Sequence, residues 1–461
     1  GLRTPTEYGG YGLGRATIML FSATLVYGHA VSYLRFYQTE GARPTFLPTI
    51  LQSFGLLCLA SIAIAVLAYA SGLLTPDYRL LLWISVPGAW CFAWFELAGR
   101  MEIARFRPGH YFWMNLARNL GIFAISVALA WATHSPIQVL IGNCLVILAA
   151  ALIYRHGGFS LRPDLFDGDF ARRLWAFGWP VALVRLLGTV SFAADRFLID
   201  RFADKASVGF YTVAYALAQT SITTIAVGID SACYSRAVKI AGQNDPAALQ
   251  AQLARNCILM LAVMLPATVG VAMLAPALAR LCVAPDYVEP VAGLIAWMAV
   301  AAFVMNFRAN YVDHGFHLAN TTTRLTVVVA VMAVVNIAGD LVLIPRYGAL
   351  GSAQASIIAG TVALIHATIA VRSSIVLPFP KVEIGKIVLA TVAMAAFLWS
   401  FHDATAAIAQ AYPRPWSTVI GACGLLLQVA GGAAVFGIVA IGSNVMNLRP
   451  VVMARLGARA R

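Results

Sequence analysis

The side chains able to do chemistry in this sequence are few, and they interrupt apolar stretches. Arg15, Arg35, Glu96, Arg100, Arg118, Arg185, Asp195, Arg196, Asp230, Arg308, Asp313 and Asp340 each fall within or beside a run long enough to cross a bilayer. A charge placed there is costly unless it meets an opposite charge or a water-filled cavity. Arginine predominates among them. A guanidinium stays ionised and offers a fixed fork of donors, which suits phosphate oxygens. Arg185, Arg35, Arg118, Arg308, Arg15 and Arg196 are therefore candidate ligands for an anionic substrate. Arg185 lies deepest, in "GWPVALVRLLGTVSFAADR", well past Arg172 and Arg173. It reads either as a cavity arginine or as half of a salt bridge to a neighbouring helix. Arg35, Arg100 and Arg118 lie nearer helix ends and can snorkel to headgroups.

The acids form a second set: Asp195, Asp230 and Asp340, with Asn336 four residues before Asp340 on one helical face. They read as a packed polar network or as sites for a coupling proton or sodium ion. Asp230 has two possible partners, Arg236 further along its own helix or a residue on another. In "DRFLIDRFADKASVGFY", Asp195 and Arg196 are candidates to face a polar path, whereas Asp200, Arg201, Asp204 and Lys205 read as a turn. His314 and His317 lie one turn apart near Asp313, too small a set to imply a metal site. The cysteines, at 58, 91, 144, 233, 257, 282 and 423, make no close pair. They read as apolar filler. No GxxxxGK[ST] loop is present. Neither a catalytic constellation nor a metal site is expected.

These residues are positioned by membrane helices. Of 461 residues, 61% are hydrophobic and only 11% charged, and mean hydropathy is +0.80. Apolar segments span 12–34, 47–70, 80–99, 112–132, 137–154, 175–199, 210–234, 253–275, 291–311, 325–344, 350–371, 385–401 and 417–441. That is an all-α polytopic membrane protein with about thirteen spans. The net charge of +13 follows from loops that alternate in basic content, so nucleic acid is not the expected partner. Clusters around Arg35/Arg43, Arg105/Arg107, Arg155 to Arg173, Arg236/Lys239, Arg372 to Lys386 and the tail are assigned to the cytoplasm. This puts the residue 1 side in the periplasm and the C-terminus in the cytoplasm. With an odd number of spans, a first helix ahead of "GLRTPTEYGGYGLGR" is expected, for about fourteen in all.

The sequence also repeats itself. "YGGY" (8–11) returns as "VGFY" (208–211), and "PDY" (76–78) as "PDY" (285–287), in the same order and with similar offsets. Such a parallel repeat implies two pseudo-symmetric six-helix lobes plus two C-terminal helices, a plan that transporters use. The expected parts are an N-lobe over 1–154, a cytoplasmic linker over 155–174, a C-lobe over 175–371 and a terminal helix pair with its basic tail over 372–461.

Four stretches carry a resemblance to a known family: "TPTEYGGYGLG" (4–14), "FARRLWAFGWPVAL" (170–183), "DRFLID" (195–200) with "VGFYTVAYAL" (208–217), and "NIAGDLVLIPRYGALGSAQAS" (336–356). Together they resemble the polysaccharide-transporter flippases. These are the O-antigen and exopolysaccharide lipid-carrier flippases of the multidrug/oligosaccharidyl-lipid/polysaccharide export superfamily. The resemblance implies fourteen helices in two lobes around a cavity. It also implies alternating-access transfer of an undecaprenyl-diphosphate-linked oligosaccharide to the outer leaflet of a bacterial inner membrane. Membrane lipids and a polysaccharide polymerase or export machinery are the implied partners. Three rivals remain: a cation-coupled drug exporter of the same superfamily, which would want acids rather than arginines in its cavity; a membrane polymerase or ligase acting on lipid-linked sugars, which would want a larger outer loop; and a structural scaffold or lipid scramblase lacking a coupled cycle.

Overall fold

The structure, a computed structural model, describes residues 4–25, 27–72, 76–153, 163–243, 245–319, 321–401 and 416–447. The basic tail and most of the first part of the expected linker lie outside the described residues. No strand occurs among those described. Among the described residues twelve helices are long and apolar enough to span a membrane, and a bent pair near the N-terminus brings the number to 13. Lipid offers no partner for a bare peptide group, so an apolar segment must satisfy its own backbone as helix. The expected all-helical polytopic fold is the observed one.

By contact the chain divides into residues 1–209 and 210–461. The first unit contains α1 (Pro5–Leu25), α2 (Tyr27–Glu40), α3 (Phe46–Ala70), α4 (Pro76–Ala104), α5 (Pro108–Thr133), α6 (Pro136–Ile153) and α7 (Gly168–Phe202). The span expected at 12–34 is two helices, inclined at 44°. Helix α7 has 35 residues, about 50 Å at 1.5 Å per residue, so it overreaches a hydrocarbon core of about 30 Å. Its start is fixed by Asp167, whose carboxylate accepts from the Phe170 N–H at 2.9 Å. The repeat pattern assigns α7 to the second half, but α7 packs along α1 and α2, so contact groups it with the first. At the α2–α7 crossing a Cβ on Gly28 would collide with the Gly178 carbonyl, and Ser32 Oγ donates to Leu174 O at 3.0 Å. Small residues permit this approach, as membrane helix packing requires. The core of this unit gathers Tyr33, Phe46, Ile50, Leu97, Met114 and Phe170.

The sequence repeat has a structural counterpart. A Cβ on Gly9 of "YGGY" would collide with the Lys205 carbonyl, and one on Gly209 of "VGFY" with that of Pro5. The two related motifs are glycine-bearing because their backbones touch. Of the expected turn at Asp200, Arg201, Asp204 and Lys205, only Asp204 lies between helices, because Asp200 and Arg201 belong to the last turn of α7 and Lys205 opens the next helix; Asp204 Oδ1 accepts from the Ser207 N–H at 2.6 Å, and the Tyr78 hydroxyl donates to Asp200.

Helix α8 (Lys205–Leu217) leads into the second unit. There follow α9 (Gln219–Ala241), α10 (Pro246–Met273), α11 (Ala275–Cys282), α12 (Pro285–Phe307), a π-helical turn at Arg308–Val312, α13 (Asp313–Leu318), α14 (Thr322–Tyr347), α15 (Ala349–Val371), α16 (Lys381–Ser400) and α17 (Trp416–Gly442). Its core gathers Cys257, Met264, Tyr311, Phe316, Val328 and Ile387. On α15, Ala355, Ala359, Ala363 and Ala367 form a fully buried i, i+4 stripe against its neighbours. All seven cysteines are free thiols.

Candidate functional site

In the first unit three arginines come together around aromatic rings. Tyr27 opens α2 immediately after the bend. The Arg185 guanidinium of α7 lies 5.2 Å from the centroid of its ring, and that of Arg100 from α4 lies 6.0 Å away. One turn before Arg100, Glu96 is 3.9 Å from the Arg100 Nη2. Beside Glu96 in sequence, Phe95 carries the Arg118 guanidinium of α5 at 4.5 Å from its centroid. The set therefore holds three permanent positive charges and one carboxylate. Each ring attracts its cation by about 0.5–2 kcal/mol. That orients a guanidinium without consuming its N–H donors. Arg185 is exposed on the protein surface and Arg118 partly so; Arg118 Nε donates to Asn119 Oδ1 at 3.2 Å. A guanidinium held by its face keeps the donors along its edge open to acceptor oxygens.

The other arginines are placed differently. Arg15 and Arg35 are exposed on α1 and α2, outside this cluster's ring contacts. Asp195 and Arg196 are both buried in α7, at 4% and 3% exposure, so they do not open onto solvent here. At the C-terminal end of α2, Glu40 accepts from Arg43 at 3.0 Å and from Arg173 of α7 at 2.8 Å, tying those helix ends together.

In the second unit, Arg308 is buried and paired with Asp313 at 2.9 Å. Its sequence position suggests a substrate ligand, but its charge is met inside the unit by a residue five positions on. Asp230 does not pair with Arg236 on its own helix; its Oδ1 lies 3.0 Å from Nε2 of His314. Asn306 of α12 donates to Thr223 of α9 at 3.0 Å. On α14, Asn336 and Asp340 are both buried, Asp340 completely. Among the described residues no group of three or more His, Cys, Asp or Glu could hold a metal ion.

Tyr27 is not among the residues that the sequence singles out, and Arg100 has a larger part than its place near a helix end suggests. The i, i+4 spacing of Glu96 and Arg100 is a visible signal, since it keeps the pair on one face. Nothing in the sequence points to Tyr27, because its role depends on where three helices meet.

The comparisons with known proteins bear on the fold. Residues 86–292 match the family model described as "Polysaccharide biosynthesis protein". No curated protein sequence matches the chain. Among solved structures, the lipid II flippase MurJ in an inward closed conformation aligns with a TM-score of 0.69 at 17% identity, over 97% of this chain and 94% of that one. An outward-facing multidrug resistance MATE family transporter of the MOP superfamily aligns with a TM-score of 0.55 at 13% identity, over 80% of this chain and 88% of that one. A MOP superfamily transporter from Pyrococcus furiosus, described as having a binding pocket of reverse polarity, also gives 0.55 at 13% identity, covering 79% and 87%. The resemblance carried by the sequence motifs thus extends to the fold, which is one that flippases and multidrug exporters share.

Proposed function

We propose that the chain is a flippase. It carries an undecaprenyl-diphosphate-linked oligosaccharide from the cytoplasmic to the periplasmic leaflet of a bacterial inner membrane by alternating access, for cell-surface or exopolysaccharide assembly. The observation that carries this reading is the convergence of Arg100 and Arg185 on Tyr27, with Arg118 over Phe95, in a transporter fold. A diphosphate cannot enter hydrocarbon unaided, by the same desolvation cost that excludes charged side chains. Two or three guanidiniums replace its hydration. The oligosaccharide rides in water and the polyprenyl tail stays in lipid. A sugar face can also lie on the Tyr27 ring as the guanidiniums turn toward phosphate.

The excess of arginine over acid in the cluster disfavours an exporter of cationic drugs. Residue 1 would face the periplasm and the C-terminus the cytoplasm, within reach of a polymerase or export machinery on the appropriate side. Coupling to a proton or sodium ion is assigned to Asn336 and Asp340, a buried amide and carboxylate one turn apart on α14.

The test is transfer of a fluorescent lipid-diphosphate oligosaccharide by purified protein in liposomes. One charge-assisted contact is worth about 1.5–3 kcal/mol, so Arg185→Ala should cut initial transport roughly 10- to 150-fold with folded protein retained. Arg185→Lys should restore part of it. Wild-type rates in Arg185→Ala and Arg118→Ala would remove the cluster from the substrate's path.

A further inference from the structure

The second unit holds a cluster that the arginine-led reading does not use. Asp230 and Tyr234 lie one turn apart on α9, and His314 and His317 one turn apart on α13. Asp230 Oδ1 is 3.0 Å from His314 Nε2. The Tyr234 ring lies against the His314 imidazole, with centroids 4.2 Å apart and planes at 32°. His317 stands 6.4 Å from Tyr234 and 6.5 Å from His314. The His314 side chain is 11% exposed and that of Asp230 23%, whereas His317 is exposed. The cluster therefore runs from an open imidazole to an enclosed imidazole–carboxylate contact, all within apolar spans.

The π-helical turn explains the placement. Such a turn adds one residue to the helix and rotates the residues beyond it by about 100°. The Asp313 N–H donates to the Arg308 carbonyl across it, and the Arg308–Asp313 ion pair closes the same five-residue interval. Without that rotation, α13 would present a different face to α9, and His314 would not meet Asp230.

We infer that the Asp230–His314 pair is a proton-binding site, and that its occupancy governs how α9 seats against α13. With one proton bound, an imidazole and a carboxylate this close form a neutral unit, either as imidazolium and carboxylate or as imidazole and carboxylic acid. Loss of that proton leaves a net negative charge in an apolar span, and a second proton leaves a net positive one. Either change is costly there and is relieved by water entry or separation of the helices. The surrounding charges do not supply the compensation. Arg308 on the π-turn is committed to Asp313. Arg324, at the start of α14, is held by Ser373 and Ser374. Arg236 on α9 and Arg372 after α15 are exposed, and α15 carries His366 more than a turn before Val371, which packs on Gly315. Helix α10 presents the neutral Asn256, whose amide donates to Cys233 O at 3.2 Å. His317 lies on the exposed side as a relay for the proton.

Protonation is read without substrate, so a failure of this site and a failure of the flippase reading give different results. Full-length protein in lipid is titrated while the carboxylic-acid carbonyl band is followed by infrared spectroscopy. We expect a carboxylic-acid component that grows as the pH falls. It should vanish in Asp230→Asn and move by about one pH unit or more in His314→Gln, since a neighbouring charge at this range shifts titration by that much. Asp230→Glu keeps the band and serves where Asp230→Asn does not fold. A band identical in wild type, Asp230→Asn and His314→Gln overturns the proposal, as does its absence from the wild type. If the band behaves as expected while no lipid-linked sugar moves at any pH, the proton site stands and the flippase reading falls. If sugar moves with the same pH profile in wild type and His314→Gln, the pair does not govern the helix seating.

Discussion

The Arg308–Asp313 pair permits a test whose result depends on which partner is removed. The ions are 2.9 Å apart and their side chains 7% and 8% exposed. At an effective dielectric constant of about 20 their attraction is roughly 6 kcal/mol, most of it offset by the cost of taking two ions out of water. Replacing both by apolar residues should therefore be nearly neutral, and Arg308→Met with Asp313→Leu should fall within about 1 kcal/mol of wild type. Removing Asp313 alone strands a guanidinium that cannot give up its proton; Asp313→Ala should cost about 3–5 kcal/mol. Removing Arg308 alone strands a carboxyl that can take up a proton, so Arg308→Met should cost about 1–3 kcal/mol. The backbone bond from the Asp313 N–H to the Arg308 carbonyl survives in all three. Unfolding of detergent-purified protein is followed by a thiol-reactive dye that reports exposure of the buried Cys233 and Cys257. Because membrane-protein unfolding is commonly irreversible, the order of the midpoints is the result. The expected order is wild type close to the double variant, then Arg308→Met, then Asp313→Ala. A double variant as unstable as Asp313→Ala, or Arg308→Met below Asp313→Ala, would refute the reasoning.

Gly28→Ala places a Cβ against the Gly178 carbonyl, whereas Gly188→Ala meets nothing within 4 Å. The first should lose about 1–3 kcal/mol of stability and the second essentially none, by the same dye assay. Tyr27→Leu removes the ring that orients Arg100 and Arg185; at about 0.5–1 kcal/mol per contact it should slow liposome transport several-fold, with Tyr27→Phe close to wild type. Asp340→Asn should abolish the response of transport to an imposed proton or sodium gradient, and an unchanged response would make Asp340 structural.

Helical class, the approximate count of crossing segments and the glycine-bearing repeat are legible in the residues alone. Lipid imposes the same demand on every crossing segment, so a sum of single-residue preferences along the chain finds it. The overlap of "YGGY" and "VGFY" with a real close approach at Gly9 and Gly209 belongs here too, because only glycine allows the backbones that near. The tertiary structure alone decided what each intramembrane charge meets. Arg308 finds Asp313 only because a π-turn intervenes. Asp230 finds His314 on a distant helix rather than Arg236 on its own. Arg185, Arg100 and Tyr27 come from three helices. Hydropathy is a property of one segment at a time, whereas pairing depends on the rotation and register of two helices, and small residues along their contact permit several registers until the whole bundle packs.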